Sequence, residues 1–295
     1  IYTTKTDSCY QVRNKTHANT LFISQFSVIF MYFIILYANS QLETEKGAVS
    51  KEAADFLKYL VQAKYSLLIS GGTSSGKTTF LNALSQYIPE DERVITIEDS
   101  AELQIQGVRN LVRLETRNSN MEGVAAITIR DLIRSALRMR PDRIVVGECR
   151  GAEAFDMLQA LNTGHDGGLS TAHGNSSRDI LGRLEMMVLM GMDLPLSAIR
   201  QQIASGIDVI VHLGRLPDKS RRVLEIVELD GICDGEIMLS PLYQLKECEG
   251  DWKLCSVGSL KHIGKLKRAG KQYCVDDRVH MQDDVRLPVS AIPGR

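Results

Sequence analysis

One glycine-rich segment restricts the fold of this 295-residue chain more than any other feature. An apolar run at residues 65–70 precedes it and predicts a buried strand, whereas Phe80, Leu81 and Leu84 follow it at helical spacing. The segment itself fits the pattern G-x-x-x-x-G-K-S/T. Its members are Gly71, Gly72, Thr73, Ser74, Ser75, Gly76, Lys77, Thr78 and Thr79. A strand, a glycine loop and a helix in this order predict an α/β fold with a phosphate-binding loop, rather than a flexible glycine turn.

The residue types of this loop explain why it would bind a nucleotide. Glycines let the backbone N–H groups approach phosphate oxygens, and the N-terminus of the following helix adds partial positive charge. We expect the Lys77 ammonium to lie between the β- and γ-phosphates, and the Thr78 hydroxyl to bind Mg²⁺. The sequence therefore predicts ATP and Mg²⁺ as the ligands of the loop.

Acidic residues end two further apolar runs. A β-branched run ends at Glu148, and a second run ends at Glu98 and Asp99, with Glu102 soon after. Because parallel strands bring their carboxyl ends to one edge of a sheet, these acids are expected near the phosphate loop. Hydrolysis of ATP needs one carboxylate in the coordination shell of the metal and another that orients the attacking water. Glu148 is therefore predicted to bind Mg²⁺, partly through water.

A histidine and two arginines are further candidates. Residues 169–173 predict a strand beside that of Glu148, so His173 at its end is a candidate sensor of the γ-phosphate. The alternative is a structural histidine, which is the commoner case. Arg113 and Arg117 flank a short strand-like segment and fit either a solvated basic face or a subunit interface that supplies an arginine finger. We favour the interface.

Three more arginines recur every four residues in a segment with helical apolar spacing, namely Arg130, Arg134 and Arg138. Such spacing places them on one face of a helix. A solvated face and a subunit interface explain this stripe equally well.

Composition narrows the class of protein. Hydrophobic residues make up 44% and charged residues 24%, as in globular proteins, and the net charge of −1 gives no general attraction to nucleic acid. The six cysteines include no C-x-x-C pair, so we predict free thiols in a reducing compartment. Three regions are predicted: an atypical N-terminal segment (1–46), the core domain (47–232) and a C-terminal extension (233–295).

The N-terminal region is unusual. The chain begins with Ile1, and residues 21–38 are almost entirely apolar, which by itself is typical of a membrane span or a signal sequence. Basic residues precede this run and acidic residues follow it, an order that would direct an ATP-dependent domain out of the cytoplasm. A span, a truncated N-terminal domain and a misread segment are all open, and we favour the last two.

Together these motifs resemble the type II/type IV secretion-system ATPases, specifically the CpaF-like ATPases of tight-adherence (Flp) pili. The similarity extends from about residue 49 to about residue 270. The matching stretches are residues 71–79, 95–102, 112–117, 128–151, 161–175 and 199–212.

The resemblance implies a RecA-like P-loop core with a mainly parallel central sheet. It also implies a homohexameric, ATP-hydrolysing motor in the cytoplasm, peripheral on the inner face of the cell membrane. The expected partner is an inner-membrane platform protein of a pilus or secretion system, and no nucleic acid is expected.

The resemblance also assigns roles to individual residues. The loop would be the family's Walker A motif, Glu148 its Walker B acid and His173 its His box. Glu102 would activate water, with Glu98 as the second choice. Two arginines would reach the nucleotide near the subunit interface, namely Arg113 and Arg117.

Two departures from the family pattern bear on activity. Members usually carry an N-terminal domain whose arginines complete the site, whereas Arg13 is the arginine found before Gly71 here. Cys149 stands where a small apolar residue is usual.

The alternatives to a pilus motor are a conjugation-type secretion ATPase, a RecA-like DNA translocase, or a fragment that binds nucleotide without hydrolysing it. A translocase would need a basic, aromatic-bearing channel, of which the composition gives little sign.

Overall fold

The computed structural model of this protein describes residues 47–119, 125–248 and 251–270. The predicted N-terminal segment (1–46) lies outside these residues, as does the end of the predicted C-terminal extension. None of the helices in the described ranges combines the length and the apolar content that a bilayer crossing requires.

The helices begin where the sequence offers caps or apolar periodicity. The side chains of Ser50, Thr128 and Ser176 each accept a backbone N–H at the start of a helix. The helices of the described residues are α1 (Lys51–Gln62), α2 (Lys77–Ser85), α3 (Ile129–Leu137), α4 (Glu153–Asn162), α5 (Ser177–Gly191), α6 (Leu196–Gly206) and α7 (Gly264–Arg268).

The strands of the described residues form one sheet in the order β3-β2-β4-β5-β1-β6-β7-β8-β9. Their bounds are β1 (Leu67–Gly71), β2 (Arg93–Glu98), β3 (Asn110–Glu115), β4 (Arg143–Cys149), β5 (Leu169–His173), β6 (Val209–Arg215), β7 (Arg221–Cys233), β8 (Glu236–Cys248) and β9 (Asp251–Ser256). From β3 to β6 all neighbours are parallel, and from β6 to β9 they are antiparallel. The predicted α/β fold with a mainly parallel sheet is confirmed.

Two apolar layers bury the sheet on both faces. In β1, Leu67 and Ile69 point into one layer, which α1 and α2 cover, whereas Leu68 points into the layer covered by α3 to α6. Every residue of β1 is buried, because helices shield both sides of the strand. Hence β1 reads as a continuous apolar run rather than an alternating one.

The antiparallel end of the sheet includes part of the predicted C-terminal extension. The turn between β7 and β8 places Asp234 and Gly235 at positive φ (52° and 78°), which suits a tight hairpin. The predicted boundary between residues 232 and 233 falls in this hairpin, so β8 and β9 continue the sheet of the core domain. Beyond them, α7 docks through Lys265, whose ammonium lies 2.7 Å from the Asp208 carboxylate.

A fully buried arginine joins several of these elements. Arg143, at the start of β4, donates to both carboxylate oxygens of Glu92 at 2.9 and 3.1 Å. It also donates to the carbonyls of Gly167 (2.6 Å) and Val61 (3.0 Å). A Cβ added at Gly167 would lie 2.8 Å from this guanidinium, so glycine leaves the space that the arginine occupies.

We predict that Arg143→Ala lowers the free energy of unfolding by about 3–5 kcal/mol, because the buried Glu92 carboxylate loses two close hydrogen bonds and keeps the more distant Lys64 ammonium, 3.8 Å away. Urea denaturation followed by circular dichroism measures the change. The control is Arg109→Ala, which removes an exposed partner of Glu90 and is expected to cost less than about 1 kcal/mol. Equal losses in the two variants would show that the Arg143 contacts do not stabilise the fold.

Candidate active site

The strand register brings the ends of three strands to one edge of the sheet. Gly71, which ends β1, is paired with His173, which ends β5. On the next strand, Cys149 of β4 is paired with Ala172. The predicted neighbourhood of the phosphate loop, His173 and Glu148 is therefore formed.

The loop between β1 and α2 has the backbone that its glycines allow. Gly76 adopts φ 94° and caps α2 without any side-chain hydrogen bond to the first turn, so those N–H groups stay open to a ligand. A Cβ at Gly71 would lie 2.5 Å from Ser75 Oγ and 2.6 Å from the Leu213 carbonyl oxygen. Gly71 thus lets the loop fold tightly over the strand end. Ser75 Oγ is buried and has no hydrogen bond to any described residue.

Lys77 lies inside this loop and is only 8% exposed. Its ammonium donates to the carbonyls of Gly71 (3.1 Å) and Gly72 (3.0 Å) and lies 3.3 Å from Nδ1 of His173. Burial lowers the pKa of Lys77, and the nearby Glu148 carboxylate partly opposes that shift. The loop therefore holds a cation at the place where phosphate oxygens would enter.

His173 connects Lys77 to Glu148. A protonated lysine can only donate, so Nδ1 of the ring accepts from Lys77 and the ring proton is on Nε2. Burial and the Lys77 charge lower the pKa of His173, which agrees with a neutral ring. Nε2 lies 2.8 Å from Oε1 of Glu148, but Oε1 receives no well-directed hydrogen bond and is buried.

Arg150 occupies the other oxygen of Glu148 and was missed by the sequence analysis. Its Nε donates to Oε2 at 2.7 Å, and this hydrogen bond raises the pKa of Arg150. The charges of Asp99 and Glu102 act on the same guanidinium. The one available signal was its position directly after the strand that carries Glu148.

The two acids predicted to activate water have different surroundings. Oε1 of Glu98, which is 4% exposed, accepts from the backbone N–H groups of Glu102 (3.0 Å) and Leu103 (2.8 Å). Burial raises the pKa of Glu98, and Gly147 makes room for its side chain. Glu102 itself is exposed. Glu98 thus orders the loop that follows β2, and the geometry favours Glu102 as the acid that faces water.

Asn82, on α2, holds the same loop and was also missed by the sequence analysis. Its Oδ1 accepts from the Gln104 N–H (2.8 Å), and its Nδ2 donates to the Glu102 carbonyl (3.2 Å). The phosphate-loop helix is therefore tied directly to the segment that carries Glu102. No sequence pattern marks this contact, because it depends on how α2 packs beside the loop.

Arg113 and Arg117 lie apart from the phosphate loop within this chain. Both belong to or follow β3, the edge strand, from which β2, β4 and β5 separate β1. Both are exposed, and each makes one long hydrogen bond of 3.4 Å to a backbone carbonyl, those of Ile105 and Ala125. Within one chain they do not reach the phosphate loop, so their predicted role requires a second chain.

The arginine stripe on α3 has a structural role that the sequence did not predict. Arg130 and Arg134 donate to the two oxygens of Asp156 on α4, at 2.6 and 2.9 Å. Asp156 is only 4% exposed. These two arginines therefore fasten α3 to α4, whereas Arg138 is exposed.

The residues present fit a magnesium ion beside the phosphates. Glu148 offers Oε1, a buried carboxylate oxygen without a well-directed hydrogen bond, and oxygen is the donor that Mg²⁺ prefers. Thr78, in the first turn of α2, is partly exposed. These are the two groups that the sequence analysis selected as metal ligands.

Comparison with known proteins places this chain in a family. A sequence profile described as type II/IV secretion system protein matches residues 34–259, more than half of the chain. The chain belongs to this family.

Two curated proteins are similar to more than half of the chain. Putative conjugal transfer protein Rv3659c of Mycobacterium tuberculosis is 44% identical over 183 residues, which cover 62% of this chain and 51% of that protein. Type IV secretion system protein PtlH of Bordetella pertussis is 43% identical over 183 residues, covering 60% of this chain and 54% of that protein. The chain spans about half the length of these curated relatives.

A solved structure of another member has a similar fold. The VirB11 ATPase from the Brucella suis type IV secretion system, crystallised in complex with sulphate, aligns with a TM-score of 0.54 at 36% identity. The alignment covers 65% of this chain and 56% of that chain.

We predict that Asn82→Ala speeds hydrogen exchange of the Gln104 amide in this family member by about 5- to 10-fold, because one hydrogen bond of about 1 kcal/mol is lost. Hydrogen exchange read by NMR or mass spectrometry measures the change. Asn162→Ala is the matched control, since its side chain bridges α4 and α6. If both variants left exchange at residues 102–104 unchanged, Asn82 would not restrain the loop.

Proposed function

We propose that this chain is the ATP-hydrolysing motor of a type II/IV secretion or pilus-assembly system. The observation that carries the proposal is the buried Lys77 ammonium, held in a glycine loop between open helix N–H groups on one side and His173 and Glu148 on the other. A buried cation beside a carboxylate and a neutral histidine suits a ligand with several negative charges. Membership of the family and the ATPase relative from Brucella suis support the same conclusion.

Nucleotide binding would begin when the Lys77 ammonium exchanges its backbone carbonyl acceptors for phosphate oxygens. Phosphate oxygens replace the carbonyls of Gly71 and Gly72 as acceptors for the ammonium, while the first N–H groups of α2 donate to the same phosphates. Residues Thr73, Ser74 and Thr79 lie on the accessible side of the loop. Because the lysine and the loop are already in place, little reorganisation is needed when the ligand enters.

Thr78 and Glu148 are the residues that would hold magnesium, Glu148 partly through water. When bound, Mg²⁺ neutralises the charge that develops on the phosphates. Arg150 already occupies Oε2 of Glu148 in this structure, so Oε1 is the oxygen that would face the metal.

Glu102 would orient the attacking water, because it is exposed on a loop that Glu98 and Asn82 hold by hydrogen bonds. His173 would sense the γ-phosphate, since its Nδ1 loses the Lys77 proton donor when that lysine turns to the phosphates. Glu98 keeps a mainly positioning role, because its carboxylate is already used by two backbone N–H groups.

The position of two arginines supports assembly into an oligomer. Arg113 and Arg117 protrude from the exposed edge strand β3, so they can act on a nucleotide only in a neighbouring subunit. We propose a homohexamer on the inner face of the membrane, which drives an inner-membrane platform protein. The conjugal-transfer and type IV secretion relatives support a secretion role, and the Flp-pilus branch stays a prediction from the sequence motifs.

We predict that Lys77→Ala lowers the rate of ATP hydrolysis by at least about 100-fold, because the transition state loses its buried cation. Phosphate release from purified, oligomeric protein measures the rate. Lys51→Ala removes an exposed lysine at the start of α1 and serves as the control, with hydrolysis expected to remain at the wild-type rate.

Glu148→Gln separates binding from chemistry in the same assay. This variant should retain ATP on the protein while releasing phosphate slowly. Wild-type turnover in Lys77→Ala would refute the role of the loop, whereas wild-type turnover in Glu148→Gln alone would move the metal ligand elsewhere.

A further inference from the structure

Two arginines that the family assignment leaves without a role lie opposite each other at the start of the β6–β7 hairpin. Arg215 ends β6 and is paired in register with Arg221, which begins β7. Directly opposed residues of an antiparallel pair project from the same face of a sheet. Both side chains are exposed.

The face in question is the one that carries the phosphate loop. Leu213 and Val223, two residues before Arg215 and two after Arg221, belong to the apolar layer that Phe80 of α2 also joins. Because side chains alternate along a strand, Arg215 and Arg221 project from the same face of the sheet as Leu213 and Val223. The two guanidinium groups are therefore carried on the α2 side of the sheet.

Arg221 lies directly against the loop. A Cβ built on Gly76 would be 3.4 Å from Cδ of Arg221, so the arginine stem packs beside the residue that caps α2. Neither the Arg221 nor the Arg215 side chain makes a hydrogen bond or an ion pair with a described residue. The neighbouring acid Asp218 is taken by Ser220, which donates to it from its backbone N–H and its hydroxyl.

Opposing like charges destabilise an antiparallel pair. In this hairpin the opposed arginines lie beside the N-terminus of α2, a position that favours anions. A bound polyanion would remove the repulsion and provide charge-assisted hydrogen bonds to both guanidinium groups. The two arginines are thus arranged to bind an anionic ligand from outside the chain.

The position of the acids tells which end of the nucleotide would lie here. Glu148 and Glu102 belong to the β4 and β2 side of β1, whereas β6 and β7 lie on its other side. If the terminal phosphate faces the acids, the remainder of the molecule extends towards the hairpin.

We propose that Arg221, with Arg215 beside it, binds the phosphate nearest the nucleoside of a bound nucleoside di- or triphosphate. This inference rests on the proposed function, because it requires a nucleotide in the loop. A contact with that phosphate exists in both ADP and ATP, so it strengthens binding of both equally and leaves the chemical step nearly unchanged.

Calorimetric titration of the full chain with ADP and with a non-hydrolysable ATP analogue, both with Mg²⁺, tests the proposal. Arg221→Gln should raise both Kd values by about tenfold, the loss expected for one charge-assisted hydrogen bond. Arg221→Lys should recover part of the affinity.

Lys219→Gln is the matched control, since it removes one charge from the tip of the same hairpin, away from Gly76, and should leave both Kd values unchanged. Wild-type affinity in a folded Arg221→Gln variant would overturn the inference while the proposed function stands. Weakened binding of the ATP analogue alone would place the arginine at the terminal phosphate and also overturn it. Absence of nucleotide binding by the wild-type chain would instead refute the proposed function itself.

Discussion

Hydrogen bonding of β1 between two parallel neighbours fixes where each group of the candidate site lies. The pairing of Gly71 with His173 on one side and with Leu213 on the other sets the height at which the chain leaves the sheet and turns into α2. A register shift by one residue would turn Leu68 and Ile69 towards the wrong apolar layers. Burial of these side chains therefore disfavours any other register. The site is therefore a consequence of how the sheet is buried.

The polar network that results is coupled from end to end. Lys77 donates to His173, His173 approaches Glu148, and Glu148 accepts from Arg150. Lys77 is buried and both His173 and Glu148 are partly buried, so charge interactions among these three are stronger than in water, whereas Arg150 is exposed. A phosphate that draws Lys77 away from the Gly71 and Gly72 carbonyls would thus be felt at Glu148. The proposed motor would need such coupling in order to link the state of its nucleotide to movement.

The sequence predicted the parts of the site that depend on local pattern and strand order. Three parts could be found because each is a continuous stretch of sequence, namely the glycine loop, the strand that carries Glu148 and the strand that ends in His173. The contacts of Asn82, Arg150 and Arg221 could not, because they depend on side-chain direction and on packing between distant elements. Arg130 and Arg134 illustrate the same limit, since their partner Asp156 lies on another helix and nothing in its spacing points to them.

The most direct measurement is a crystal structure of the chain with Mg²⁺ and a non-hydrolysable ATP analogue. The phosphates are expected in the loop between β1 and α2, with the Lys77 ammonium moved from the Gly71 and Gly72 carbonyls onto phosphate oxygens and with Glu148 facing the metal. A nucleotide bound elsewhere, with Lys77 still donating to those two carbonyls, would contradict the assignment of this loop as the ATP site.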